Sequence, residues 1–201
     1  MQTNRLLGFY PKNPFYREMQ VKSSYVPISQ KNDYNDYSVE RYDFSENPVC
    51  SWGDISIIHD KLSDKIFRLP PDLKELAAEI EASRYILDLE KGWDGEDAEP
   101  YHIHVWERVV EFLIRMYLTS VRLFDVIPDF PKIYHGPDGT IDILWEKSDY
   151  QILANCPKEE DKQVSFYGEN SKKNSFKGSF CMRDNYHSLL MILVGIKKCG
   201  I

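Results

Sequence analysis

At 201 residues, with 42% hydrophobic and 28% charged side chains, the chain is long enough for one soluble globular domain plus an appendage. Its longest apolar run, residues 189–196, is far shorter than the ~20 residues that span a bilayer. No membrane segment is expected, and an N-terminus without a sustained apolar core or small-residue cleavage site points to the cytoplasm.

The formal net charge of −7 is uneven: residues 70–130 carry six basic and fourteen acidic side chains, while the regions before and after are close to balanced. An acidic helical region repels a phosphate backbone, so nucleic acid is disfavoured as a partner. The four cysteines, Cys50, Cys156, Cys181 and Cys199, are widely separated and form no C-x-x-C pair, so they are expected to be thiols rather than zinc ligands.

Residues 1–50 hold six of the thirteen tyrosines (Tyr10, Tyr16, Tyr25, Tyr34, Tyr37 and Tyr42) and little aliphatic periodicity. Such a segment buries too little apolar surface to fold by itself, yet its tyrosines bring large contact area at low rotamer cost. It reads as an extended or poorly ordered arm that orders on its own domain or on a partner, with residues 51–201 forming a single domain.

Ile55, Ile57 and Ile58, bounded by Asp54 and Asp60, suggest a first strand, and residues 65–69 either pair back with it or form a short helical turn. His59 reads as a surface histidine. Pro70-Pro71 opens a helix over about 72–90, in which Leu73, Leu76, Ala77, Ile80 and Leu87 recur at helical spacing. A second helix over about 101–120 shows a broad stripe of Ile103, Trp106, Val110, Leu113 and Tyr117, suited to burial against a sheet.

Residues 91–100 join the two helices. Gly92 stands where the first helix needs a left-handed final residue, Trp93 is a large anchor, Asp94-Gly95 is a turn pair, and Pro100 suits a first helical turn. Beyond Pro131 the hydrophobic period becomes two. Residues 132–135 and 140–146 read as a hairpin around Gly136-Pro137-Asp138-Gly139, with Ile141, Ile143 and Trp145 sharing one face. Residues 150–155, 163–167 and 176–182 continue as strands, and a last helix over about 185–198 follows Asp184 as its N-cap. The fold class is α+β: an antiparallel meander, its strands mainly within 131–182, with helices on one face and a tyrosine-rich arm in front.

The run Gly92-Trp93-Asp94-Gly95-Glu96-Asp97-Ala98-Glu99-Pro100 and the later Pro137-Asp138-Gly139-Thr140-Ile141-Asp142-Ile143-Leu144-Trp145-Glu146 resemble a loose group of small bacterial proteins that share a GWDGxxAxP turn and a PDGxIxLxW hairpin. The resemblance covers about residues 70–155 and implies a fold without implying an activity.

Three functions compete. An acidic helical face and an aromatic arm suit a non-catalytic interaction subunit (adaptor, inhibitor or antitoxin-like) of a bacterial or phage system, binding a protein through the arm or the acidic helices and needing no cofactor. A divalent-metal hydrolase or nuclease would cluster Asp94, Glu96, Asp97 and Glu99 with Asp142 or Glu146, because hard cations require several oxygen ligands. A small-ligand sensor would use a pocket beside Trp93 and Trp145. His102 and His104, two apart, point to different sides of a helix and do not make a zinc pair. Pairing Cys156 or Cys181 with His187 or His135 for nucleophilic catalysis has no supporting motif, and the nucleotide-binding and G-x-S-x-G signatures are absent.

Overall fold

The computed structural model describes residues 56–60, 65–183 and 185–199. The arm at 1–50, with its six tyrosines, lies outside the described residues, as does Asp184.

Strand β1 (Ser56–Asp60) pairs antiparallel with β2 (Lys65–Leu69), so the second segment is a strand rather than a helical turn. The pair forms a separate two-stranded sheet whose Ile58 and Leu69 enter the core, whereas Ile57 and Ile66 face solvent.

The helix expected over 72–90 is three pieces: a 3-10 turn at Pro71–Leu73, helix α1 (Lys74–Ala82), and a second 3-10 segment at Ser83–Asp88. The change of pitch falls at a buried polar anchor. The Ser83 hydroxyl donates to the Ile80 carbonyl at 2.7 Å and accepts the Trp106 indole N–H at 2.8 Å. A serine that bonds back to the preceding turn competes with regular helix geometry, and the tighter 3-10 coil is the result.

Helix α2 (Ile103–Phe124) is longer than the expected 101–120. It starts after an extended His102, which leaves Pro100 in the exposed loop rather than in the first turn. Its last turn is closed by Asp125, in the left-handed region at φ 51°, whose N–H bonds to the Val121 carbonyl. Of the expected stripe, Trp106, Val109, Val110, Leu113, Met116 and Tyr117 are completely buried, whereas Ile103 in the first turn is only partly so; Phe112 is also completely buried.

The main sheet runs β3 (Lys132–His135), β4 (Ile141–Glu146), β5 (Tyr150–Cys156), β6 (Val164–Asn170) and β7 (Ser175–Phe180), in sequence order and antiparallel throughout. This is the expected meander. Ile133, Ile143, Trp145, Ile152, Phe166 and Phe180 lie on its inner face, where helices α2 and α3 (His187–Cys199) complete the core. Phe112 of α2 meets Phe180 with ring centroids 5.2 Å apart. Gly168 and Gly178 seat the rings of Phe176 and Phe166, because a Cβ there would lie 2.1 and 2.6 Å from ring atoms. Each fully buried aliphatic side chain contributes about 1.5–3 kcal/mol relative to exposure. Among the described residues no helix is long and apolar enough to cross a membrane.

Candidate functional site

The turn between α1 and α2 is built mostly from its own backbone. Gly92 and Gly95 adopt φ of +76° and +86°, and a Cβ at Gly92 would also meet the Glu96 carbonyl at 3.2 Å. The Gly92 N–H closes the loop on the Ala98 carbonyl at 2.8 Å, while the Trp93 N–H bonds the Glu90 carbonyl at 3.1 Å and the Gly95 N–H the Gly92 carbonyl at 2.9 Å. Asp94 accepts the backbone N–H of Glu96 at 2.9 Å and of Ala98 at 3.4 Å through one carboxylate oxygen, the role its turn position implies. Across the neck of the loop Lys91 donates to Glu99 at 2.8 Å; that bond raises the lysine pKa and lowers that of the glutamate. Glu96 and Asp97 are exposed and, among the described residues, join no ion pair.

Trp93 carries this turn onto the β3–β4 hairpin. Its ring meets His135 edge-on at 4.7 Å and lies 5.9 Å from Tyr101. The Tyr85 hydroxyl is 2.9 Å from His135 Nδ1 and accepts the His135 backbone N–H at 3.4 Å, and Tyr101 donates its hydroxyl to the Gly136 carbonyl. Trp93 of the turn is thus placed against His135, at the end of β3 and some forty residues away in sequence. Burial lowers the His135 pKa. Burial raises that of Tyr85, partly offset by the His135 backbone N–H.

The carboxylates considered as metal ligands are not gathered. Asp94 is committed to the turn. Asp142, on β4, accepts Asn155 at 2.7 Å, and Glu146 accepts Gln151 at 3.2 Å. Among the described residues no group of three or more His, Cys, Asp or Glu is placed to hold a metal ion. His102 and His104 are both exposed, and His104 lies 3.4 Å from Glu107. Trp145 is fully buried with its indole N–H on the Tyr117 hydroxyl at 3.1 Å, so it is a core residue rather than the wall of a sensor pocket. Cys156 is buried, which pushes its thiol pKa up, and Cys181 and Cys199 are thiols in no disulfide.

Sequence reasoning missed a second constellation, at Asp129. The Asp129 carboxylate accepts Tyr150 at 3.0 Å and Lys197 at 2.8 Å, with Lys147 4.0 Å away, and its carbonyl accepts Tyr117 at 2.6 Å. Burial pushes the Asp129 pKa up, but the bonds from Lys197 and Tyr150, with Lys147 nearby, outweigh it and hold the carboxyl below its usual range. No local pattern announces this group, because its members come from a loop, a strand, a turn and two helices.

Compared with protein-family models, curated proteins and solved structures, the chain finds no match.

Proposed function

We propose that the protein is a non-catalytic interaction subunit of a bacterial or phage system, an adaptor, inhibitor or antitoxin-like protein, that offers its acidic turn to a partner with a basic surface. One observation carries this reading. Glu96 and Asp97 project, with no cation paired to them among the described residues, from a turn pinned by three backbone bonds, by Asp94 and by Trp93. Charges held on a rigid turn lose little conformational freedom on binding, and they steer a positively charged partner. Exposed Tyr85 and Tyr134 beside His135 supply aromatic contacts of the kind that dominate interfaces. The arm tyrosines, Tyr10 to Tyr42, are proposed as a further contact, and a cytoplasmic setting goes with the thiol cysteines. Membership of the group with the paired turn and hairpin motifs is also proposed, supported by Trp93 of the turn packing on His135, two residues before the hairpin motif.

The test is a tagged pull-down from the native host at moderate salt, read by mass spectrometry and native mass. It compares the full chain, a chain lacking residues 1–50, and the double variant Glu96→Lys, Asp97→Lys. The expected result is a stoichiometric partner that rebinds the purified full chain, weakens with salt and is lost on charge reversal. A partner that binds the charge-reversed protein equally well, or a protein recovered alone in every arm, overturns the reading.

A further inference from the structure

A cleft among the described residues shares no residue with the acidic turn. It lies between α1 and the segment leading into β3, with a volume of about 580 Å³, within the ~300–1,000 Å³ range of ligand sites. One wall is acidic, formed by Asp72, Glu75 and Glu79, whose spacings of three and four place them on one helical face. The other wall is basic, formed by Lys132, Lys147 and Lys197. Between them runs an apolar floor that includes Ile127, Phe130 and Pro131.

Internal pairing neutralises part of each wall and leaves a remainder of opposite sign. Glu79 is held by Lys132, and Asp129 by Lys197 and Tyr150. On the acidic side Asp72 and Glu75 are exposed and have no ion-pair partner among the described residues. On the basic side Lys147 stands 4.0 Å from an Asp129 carboxylate already satisfied by two donors, and it is 52% exposed. Lys197 uses one donor on Asp129 and has others to offer. A phosphate-rich ligand would be repelled by Asp72 and Glu75, and a polyamine by the lysines. A ligand with a cation at one end, an anion at the other and apolar groups between matches all three surfaces.

We propose that this cleft binds a short peptide segment with a basic side chain at one end, an acidic side chain at the other and apolar side chains between. The site is independent of the partner surface proposed above, which meets β3 at its opposite end, through His135.

The test uses the full chain, ¹⁵N-labelled, titrated at low salt with acetylated and amidated Lys-Leu-Leu-Glu, and with Lys-Leu-Leu-Lys and Glu-Leu-Leu-Glu as single-sign probes. The mixed peptide should give saturable amide shifts in residues 72–79 and 127–132 and at Lys147, with each single-sign peptide about tenfold weaker. Glu75→Lys, at an exposed helical position, should move the preference to Glu-Leu-Leu-Glu, and Lys147→Glu should move it to Lys-Leu-Leu-Lys. Equal affinity for all three probes, shifts confined to other surfaces, no saturable shift at millimolar peptide, or an unchanged preference in both charge variants would each overturn the proposal.

Discussion

The two ends of strand β3 are organised on different principles. At His135 the surroundings are mostly two short loops whose backbones satisfy themselves, with left-handed glycines, an aspartate accepting backbone N–H groups and Trp93 bridging to the hairpin, joined by Tyr85 from the 3-10 segment. At Lys132 the surroundings are side chains from distant segments, such as Lys197 reaching Asp129 across 68 positions. A turn of the first kind is fixed by local chemistry and needs tertiary structure only to dock. A network of the second kind exists only once the sheet and both flanking helices are in place. The first therefore depends on one anchor, the second on a chain of hydrogen bonds with no dominant member.

The largest expected effect is at the anchor. Trp93→Ala should destabilise by about 2–3 kcal/mol in urea unfolding, somewhat below the ~3–5 kcal/mol for a fully buried tryptophan because Trp93 is half-buried. A loss under ~1 kcal/mol would show that the turn does not depend on it. Tyr117→Phe comes next, at about 1–3 kcal/mol, because it removes the acceptor of the buried Trp145 indole N–H and the donor to the Asp129 carbonyl. If the phenylalanine variant matches the parent, the Asp129 network is not a source of stability. The sharper comparison is the double variant. If the two ends are independent, the losses should add to within ~0.5 kcal/mol, and a larger interaction energy would join what the fold separates.

The same contrast explains what could be read from the amino-acid sequence. The meander was legible because Ile141, Ile143 and Trp145 alternate, and the antiparallel register keeps all three inward. Trp93, Asp94 and Gly95 were legible because turn chemistry is local; Gly92 is left-handed as expected, but it serves the turn rather than ending the helix, which stops at Asp88 with an extended Leu89, and Pro100 is separated from α2 by the extended Tyr101-His102 segment. The break in the first helix at Ser83 was not legible, since the buried hydroxyl that bonds back to Ile80 is held in place by an indole 23 positions away. Nor was the cleft: no periodicity relates Asp72 and Glu75 to Lys147 and Lys197, and only the packing of α1 and α3 around the sheet brings them to one opening. The metal reading illustrates the opposite error. Asp94, Glu96 and Asp97 are close in sequence, but a tight turn directs one carboxylate into its own backbone and the others into solvent.

The smallest expected effect is a pH dependence, and it separates the two ends without disturbing either much. Burial between Tyr85 and Trp93 lowers the His135 pKa from its ordinary 6.5, so the folded protein favours the neutral ring. The unfolded chain then binds more protons in the window between the lowered value and ~6.5, and stability rises with pH there. The contribution is fully present above ~6.5 and is lost as pH falls through the folded value. His135→Phe keeps an aromatic ring against Trp93 and removes the proton site, so its urea-unfolding stability between pH 7.5 and 5 should fall less steeply than the parent's. Trp93→Ala should flatten the slope as well, because water reaching His135 restores its ordinary pKa. Tyr117→Phe acts at the other end of the strand and should leave the slope unchanged. Three parallel curves would mean that His135 is not shielded by the turn, and a changed slope in Tyr117→Phe would mean that the two ends of β3 communicate.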